Sequence, residues 1–246
     1  VGDEAGTAIT TGDHNTGVGY GAGKAVTTGI KNTFVGSLTG DANTTGDNNT
    51  AIGQGALSAN TTADNNTAVG LNALVANTTG ADNTSTGFSS SVSNTTGSNN
   101  AVFGKEAFYT NTTGSSNTAI GQWALYYNTT ASNNTAVGKS SLESNTTGAS
   151  NTASGFESLK ANTTGIRNTA LGYQALLLAT TASNNTAVGA FAGDSTTTGI
   201  NNTFIGYDTA PANTTGDNNV SLGSGSLHAN TTGANNTAVG YLSLYL

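Results

Sequence analysis

The sequence has no cysteine, no methionine and a single proline, Pro211, and it carries little charge. Without cysteine, the chain can form neither a disulfide framework nor a thiolate metal site. Its six lysines and arginines are scattered singly in a chain of formal net charge -7, so no basic patch exists for nucleic acid or anionic lipid. No apolar run approaches the roughly 20 residues of a membrane span. We therefore expect no nucleic-acid partner and no membrane insertion.

The remaining composition favours a regular, stacked structure. Charged residues make up 8% of the chain and hydrophobic residues 35%, while asparagine, threonine, glycine, alanine and serine fill most of the rest. Disordered chains of low hydrophobicity are usually rich in charge and proline, and this chain is poor in both. A locally stacked fold explains the composition better than disorder.

The chain is a tandem repeat with a period of 17 residues. One asparagine recurs at this spacing, without insertion or deletion, at Asn15, Asn32, Asn49, Asn66, Asn83, Asn100, Asn117, Asn134, Asn151, Asn168, Asn185, Asn202, Asn219 and Asn236. Helical repeats are longer and vary in loop length, so a short, rigid period indicates β-solenoid coils. We predict an all-β fold, a parallel β-solenoid of about 14 coils that forms a single array over residues 1–246.

The positions within one coil are numbered here as offsets from this asparagine, which is offset zero. Val1 and Gly2 match offsets three and four, and Leu246 matches offset ten, so both chain ends fall in mid-coil. Open β-stacks normally need polar caps, and none is written at either end. We therefore expect an excerpt of a longer fibre, or a subunit whose ends pair with the next one.

Two glycine columns predict two kinds of corner. Offset four is glycine in every coil, from Gly19 to Gly240, which indicates a backbone with positive φ or with no room for a Cβ. Offset fourteen is glycine in eleven coils and alanine at Ala63, Ala131 and Ala182. Small size therefore matters more than positive φ at offset fourteen.

Two apolar columns are predicted to form the core. Offset three holds Val18, Val35, Ile52, Val69, Ile120, Val137, Leu171, Val188, Ile205, Leu222 and Val239, and offset eight holds Leu57, Leu74, Leu125, Leu142, Leu159, Leu176, Leu227 and Leu244. Where offset eight shrinks to Gly40 or Gly193, a large residue stands two positions earlier, at Leu38 or Phe191. Residues two apart share a face of a strand, so we interpret this as one pocket filled from a neighbouring position.

Three polar columns predict side-chain ladders. Offsets twelve and thirteen are Thr-Thr in every coil, and offset eleven is asparagine in ten coils. Identical residues on successive rungs can support one another, asparagine through amide hydrogen bonds along the stack. Each coil is too small to bury its own apolar face, and stacking provides the missing neighbours.

The repeat resembles known surface repeats. The stretch "NTALGYQALLLATTASN" at 168–184 looks like repeats in bacterial surface and phage tail-fibre-like proteins, and the "NTAVG" and "NTAIG" segments resemble head repeats of YadA-like trimeric autotransporter adhesins. This resemblance implies a parallel β-roll, a place outside the cell or on the cell or virion surface, frequent trimerisation and a role in adhesion. Self-association, as an end-to-end filament or a trimer, is the partner we expect.

Asparagine-linked glycosylation is the first candidate modification. Asn-Thr-Thr sequons occur at offset eleven, at Asn43, Asn60, Asn77, Asn94, Asn111, Asn128, Asn145, Asn162, Asn213 and Asn230. Further sequons begin at Asn48, Asn65, Asn83, Asn133, Asn184, Asn201, Asn219 and Asn235. A repeat built from asparagine and threonine generates sequons automatically. We therefore favour amide ladders at the Asn-Thr-Thr positions and keep a glycan-coated fibre as the alternative.

The threonine columns and the turn acids each suggest a ligand. Flat threonine rows occur on solenoid antifreeze proteins, but offsets twelve and thirteen are adjacent, so only one of them can face water in a strand. Acidic residues recur near the turn, at Asp13, Asp47, Asp64, Asp82 and Asp217. Calcium needs several convergent carboxylates, and these are isolated. We interpret them as solvated turn residues and expect no metal and no cofactor.

The individuality of the coils lies in variable aromatic residues. The candidate contact residues are Trp123, Tyr126, Phe156, Tyr173, Tyr207 and Tyr241. They suit either an interface between chains or a glycan-binding face. The two histidines, His14 and His228, are far apart in the sequence, and no catalytic set recurs, so we expect no enzyme activity. The sequence predicts an extracellular structural fibre or adhesin shaft, with an ice- or carbohydrate-binding solenoid as the alternative.

Overall fold

The computed structural model describes residues 2–245 and confirms the predicted β-solenoid with its 17-residue period. Fourteen strands of three residues each occur once per coil, and residues 2–245 contain no α-helix. The strands are β1 Thr16–Val18, β2 Thr33–Val35, β3 Thr50–Ile52, β4 Thr67–Val69, β5 Thr84–Thr86, β6 Ala101–Phe103, β7 Thr118–Ile120, β8 Thr135–Val137, β9 Thr152–Ser154, β10 Thr169–Leu171, β11 Thr186–Val188, β12 Thr203–Ile205, β13 Val220–Leu222 and β14 Thr237–Val239.

The chain divides into two compact units, Val1–Trp123 with β1 to β7 and Ala124–Leu246 with β8 to β14. In each unit, successive strands pair in parallel and every residue faces the residue 17 positions later, as Thr50 faces Thr67 and Thr186 faces Thr203. This register places the same offset of every coil in one column. The columns read from the sequence are therefore physical columns within each unit.

Backbone hydrogen bonds join the coils far beyond the short strands. In the first unit, the Gly53 N–H donates to Val35 O of the preceding coil at 2.8 Å, and the Leu57 N–H donates to Ala73 O of the following coil at 3.0 Å. The Thr44 N–H likewise donates to Thr61 O at 2.8 Å. A coil in the middle of a unit is thus bonded to both neighbours around much of its circumference, which is why strands of three residues suffice.

The two glycine columns differ as predicted. At offset four the backbone has positive φ, for example +136° at Gly70, where an added Cβ would lie 2.4 Å from Gly87 O. At offset fourteen no positive φ occurs among the glycines of residues 2–245. The offset-four glycines therefore satisfy both a conformational and a steric requirement.

Most of the other left-handed corners are occupied by non-glycine residues, which the sequence did not lead us to expect. All residues at offset sixteen, from His14 to Asn235, have φ between 56° and 63°. The leucines at offset eight also have positive φ, such as 51° at Leu74. Asparagine and aspartate tolerate this region and fill most of offset sixteen, whereas leucine does so only when its surroundings hold it there.

The predicted core is right at offset eight and wrong at offset three. Leu57, Leu74, Leu125, Leu142, Leu159, Leu176 and Leu227 are buried, whereas Leu244 is exposed. The offset-three side chains point outward, and Ile52 and Val18 are 42% and 44% exposed. The inward strand position is offset two, which is mostly alanine. Alternation along a strand puts offsets one and three on one face and offset two on the other.

The interpretation that Leu38 and Phe191 fill the space beside Gly40 and Gly193 is also wrong. The buried rings of Phe34 and Phe204, at offset two, fill the space where those glycines lack a side chain. A Cβ on Gly40 would lie 2.4 Å from the Phe34 ring, and one on Gly193 would lie 2.4 Å from the Phe204 ring. Offsets six and eight lie in a turn, not in a strand, so the two-residue spacing rule does not apply to them.

Candidate functional site

The first asparagine column, at offset zero, forms a buried ladder in each unit. The Asn49 N–H donates to Asn32 Oδ1 of the preceding coil at 2.9 Å, and Asn66 does the same to Asn49 at 2.9 Å. The Asn49 Nδ2 group donates to Ala63 O of its own coil at 2.8 Å. One amide thereby holds two coils together and closes its own coil.

The second asparagine column, at offset eleven, confirms the predicted amide ladder. Asn60 Nδ2 donates to Asn43 Oδ1 at 2.7 Å, and Asn77 Nδ2 donates to Asn60 Oδ1 at 3.0 Å. Asn60 Nδ2 also donates to Ala63 O at 3.0 Å, the carbonyl that accepts from Asn49. Both asparagine columns therefore converge on the backbone at offset fourteen.

The offset-eleven ladder is interrupted in the second unit. Ala179 stands at the position after Asn162, and the buried Asn162 Oδ1 has no hydrogen-bond partner. In the next coil, the buried hydroxyl of Thr196 is also without a partner. A buried polar atom without a partner costs stability, so this gap is a local weak point.

The ladder bears directly on the glycosylation candidates. Nine of the ten Asn-Thr-Thr asparagines are buried, at no more than 1% exposure, and Asn230 is half-buried. The Nδ2 atom that would carry a glycan is the donor in the ladder. A glycan on one of these buried Nδ2 atoms would break the ladder bonds and open the coil. The amide ladder therefore explains the asparagines at these positions better than glycosylation does. The asparagines of the sequons at Asn48, Asn65, Asn133, Asn184, Asn201 and Asn235 are exposed instead.

The two threonine columns differ in how their hydroxyls are used. At offset twelve the threonines are mostly half-buried, and the Thr27 hydroxyl donates to Thr44 O of the next coil at 3.1 Å. At offset thirteen every threonine is exposed, from Thr11 to Thr232. Only one of the two columns therefore presents its side chains fully to solvent.

Turn acids and serines at offset fifteen form a further set of contacts between coils. Asp47 Oδ1 accepts from the Ile30 N–H at 2.8 Å, and Asp64 Oδ1 accepts from the Asp47 N–H at 2.8 Å. Ser98 accepts from the Ala81 N–H at 3.1 Å in the same manner. These side chains therefore bind backbone amides. Within residues 2–245, no three histidine, cysteine, aspartate or glutamate residues cluster as a metal site would require.

An outward face on the strands is the main feature that sequence reasoning missed. Offset one is threonine in twelve of fourteen coils, and offset three is valine, isoleucine or leucine in eleven. Because these offsets share the outer face of each strand, each unit displays two parallel columns, one of hydroxyl-bearing and one of aliphatic side chains. The repeated Thr-x-Val pattern was the sequence signal for this face.

Three of the six candidate aromatic residues belong to one ladder. Phe156 and Tyr173 stack with their ring centroids 5.4 Å apart, and Tyr173 and Phe191 are 5.1 Å apart in an edge-to-face arrangement. Phe191 continues to Tyr207 at 6.1 Å. Phe191 is not one of the six candidates, because the spacing predicted that it fills the pocket beside Gly193. The rings pack against one another along the chain, which leaves less free ring face on which a sugar could stack.

The other three candidate aromatics lie elsewhere. Trp123 Nε1 donates to Glu106 Oε2 at 2.8 Å, and Tyr126 packs edge-to-face with Tyr127 at 4.7 Å. Tyr241 is 77% exposed and is separated from Tyr207 by Ser224 in the intervening coil. Tyr241 is therefore not continuous with the ladder of Phe156, Tyr173, Phe191 and Tyr207.

The charged side chains form small local clusters. In the second unit, Lys160 Nζ lies 2.7 Å from Glu157 Oε1, and this hydrogen bond, with one from Gln174, lowers the pKa of Glu157. Burial raises the pKa of Asp194, and the nearby Asp208 carboxylate adds to the effect. A raised carboxyl pKa favours the folded state at low pH and loses that contribution as the pH rises through the folded pKa.

Residues 2–245 contain no helix that is long and apolar enough to cross a membrane. Comparison with protein-family models gives no match, and comparisons with curated proteins and with solved structures give no significant match.

Proposed function

We propose that this chain is a structural protein, a load-bearing solenoid segment of an extracellular fibre or adhesin shaft, and that it has no enzymatic role. The observation that carries the proposal is the continuity of bonding between coils. Within each unit, two asparagine columns, one threonine column and backbone bonds around the coil link successive coils, and the offset-eleven column alone is interrupted near Ala179. Force applied along the stack is therefore shared among many hydrogen bonds.

The chemistry of the surface is consistent with a filament in water. The chain carries little charge, and most of its buried polar atoms are satisfied by repeated partners in adjacent coils. The aromatic ladder from Phe156 to Tyr207 is an exposed strip at which a second chain can pack. Self-association, as a trimer or filament, and the location outside the cell belong to this proposal and rest on the resemblance of the repeat to surface proteins.

Single-molecule force spectroscopy on the full chain tests the proposal. Peeling one coil of 17 residues should release about 60 Å of chain at roughly 3.5 Å per residue. The coil spacing of about 4.8 Å is lost at the same time. We therefore expect extension steps of about 55 Å, or multiples of that length, because each coil is bonded to its neighbours as a unit.

A matched pair of variants makes the test specific. Asn60→Ala, Asn77→Ala and Asn94→Ala together remove three buried ladder amides, whereas Thr62→Ala, Thr79→Ala and Thr96→Ala in the same coils remove exposed hydroxyls. The asparagine variant should lower the force needed to extend these coils, and the threonine variant should not. Extension of the native chain at forces as low as those of the asparagine variant would contradict a load-bearing role.

A further inference from the structure

The outer face of the strands combines two columns that repeat with one rung per coil. Threonine occupies offset one in twelve coils, at Thr16, Thr33, Thr50, Thr67, Thr84, Thr118, Thr135, Thr152, Thr169, Thr186, Thr203 and Thr237. Aliphatic residues at offset three stand beside them, and Ile120 and Ile205 are each 39% exposed. Each unit therefore presents alternating rows of hydroxyl and alkyl groups to solvent.

The hydroxyls at offset one are available to a ligand. At offset twelve, the hydroxyls of Thr44 and Thr78 donate to carbonyls of the following coil at 3.0 Å in each case. By contrast, no side-chain hydrogen bond within residues 2–245 involves the hydroxyl of Thr33, Thr50 or Thr67. These hydroxyls can bind water or another partner without breaking a bond inside the protein.

Neither column carries a charge in any coil, although the chain has a formal net charge of -7. The acidic and basic residues stand at other offsets. An uncharged, half-apolar face does not attract an ionic partner through electrostatics, so its ligand must be recognised by hydrogen bonds and alkyl contacts. Phe103 is the single aromatic residue in the two columns, so the face has no row of rings on which a chain of sugars could stack.

The spacing of the columns determines the kind of ligand. Neighbouring parallel strands lie about 4.8 Å apart, and offsets one and three are separated by roughly 6.6 Å along a strand. The same two kinds of side chain, a threonine and an aliphatic residue, recur in most coils, so most rungs present similar groups. A ligand that uses the whole face must itself repeat on a regular lattice. The hydrogen-bonded backbone holds the two columns of the protein in place before the ligand binds. Binding therefore costs little conformational entropy of the protein.

We propose that this face binds ice, with the threonine hydroxyls hydrogen-bonded to lattice water and the aliphatic side chains packed against it. The proposal concerns a different surface from the aromatic ladder, and it does not depend on a load-bearing role. It also differs from the threonine pair at offsets twelve and thirteen, where one column is committed to backbone carbonyls and the other is a single row at a bend.

The test is a thermal-hysteresis measurement on the full chain, with microscopy of growing ice crystals. We expect a gap between the melting and freezing points that increases with protein concentration, and crystals with shaped facets. Thr67→Lys with Thr186→Lys places a bulky charge in the central strand of each unit and should abolish the gap. Thr79→Lys with Thr198→Lys changes exposed offset-thirteen threonines in the same coils and should leave the gap unchanged.

Circular dichroism on all proteins establishes that the variants are folded before the comparison. Absence of a gap in the native chain would overturn the proposal, as would equal loss in the two lysine variants. Sedimentation of the same samples identifies the main competing occupant. A native chain that shows no gap, and that changes from oligomer to monomer on Thr67→Lys with Thr186→Lys, would assign the face to a second copy of the chain.

Discussion

At the scale of single residues, asparagine supplies much of the order in each coil because its amide both donates and accepts along the stack. Asn77 Oδ1 accepts from Asn94 Nδ2 of the following coil at 3.0 Å, and Asn77 Nδ2 donates to Asn60 Oδ1 of the preceding coil at 3.0 Å. The same Nδ2 group donates to Gly80 O of its own coil at 2.9 Å. A typical hydrogen bond contributes about 0.5–1.5 kcal/mol net to stability, whereas a buried group left unpaired costs about 1–3 kcal/mol. The ladder is therefore most sensitive at its interruptions.

Ala179→Asn should repair the interruption in the second unit. The new Nδ2 group would donate to the unpaired Asn162 Oδ1, and the new Oδ1 could accept from the unpaired Thr196 hydroxyl. The coil that contains Asn60 already combines this asparagine with a leucine at offset eight and an alanine at offset fourteen, as the coil of Ala179 would. We expect the free energy of unfolding to rise by about 1–2 kcal/mol, measured by urea denaturation.

Ala161→Asn is the matched control, since this half-buried alanine lies outside the ladder in the preceding coil. Its denaturation midpoint should differ little from that of the native chain. If Ala179→Asn left the midpoint unchanged or lowered it, the unpaired atoms at Asn162 and Thr196 would not be a source of instability.

At the scale of one coil, the fold depends on the 17-residue register, in which each residue is aligned with the residue 17 positions later. Strands of three residues would be unstable in isolation, but the remaining offsets of each coil also bond to the coils on either side. Because the same bonds recur at every rung, one coil of a solenoid can replace another. This interchangeability makes coil deletion a direct test of register.

Deletion of residues 66–82 removes one complete coil and places Asn83 next to Asn49 in the same relation that Asn66 had. We expect this variant to keep a β-type circular dichroism spectrum and a cooperative denaturation transition. Deletion of residues 66–81 removes one residue fewer and shifts every later column by one position. A shift of one residue misaligns the coils before the cut with those after it, while the later coils keep their own register. This second variant should therefore lose the single transition and unfold in two stages.

Equal behaviour of the two deletion variants would contradict a solenoid in fixed register. If both kept a single transition, the coils would have to tolerate a change in length, and if both lost it, the coil of Asn66 would be required for more than stacking. The same experiment also separates register from chain length, because the variants differ by a single residue.

The register and the ladders could be predicted from the sequence, because identical residues at identical spacing require identical surroundings. The direction of the strand faces could not be predicted from hydrophobicity alone. Val69 is more apolar than Ala68, yet Ala68 is buried and Val69 is half-buried, since the interior already holds Leu74 and the asparagine ladders. Branched side chains also suit the outer surface of a strand, and apolar character there is not proof of burial.

The left-handed corner at offset eight could not be predicted for a different reason. Leucine at offset eight reads as a core residue, and Leu74 is buried, but nothing in its identity indicates a φ of 51°. Asparagine at offset sixteen does carry a local signal, because asparagine is enriched in this conformation. The grouping of the candidate aromatic residues could not be predicted either, because ring contacts depend on the residues of neighbouring coils. Phe191, at offset six, joins the ladder through its contacts with Tyr173 and Tyr207.

At the scale of the whole molecule, stability is distributed over many similar rungs and not concentrated in one core. The buried residues are largely alanine, leucine and asparagine, which recur in both units. In an array of this type, each repeat depends mainly on its nearest neighbours. A segment with several consecutive coils should therefore contain most of the interactions that it needs.

Expression of residues 1–123 and 124–246 as separate chains tests this distribution. Each fragment contains seven of the fourteen strands, together with ladders that join coils within it, such as Asn43 to Asn60 in the first and Asn145 to Asn162 in the second. We expect both fragments to show β-type circular dichroism and a cooperative urea transition. Because the denaturant dependence m scales with the surface exposed on unfolding, each fragment should have an m value about half that of the full chain.

A scrambled sequence of the same composition should show neither signal. A fragment that stays unfolded would mean that its coils require contacts outside its own unit, and would contradict the nearest-neighbour account of stability.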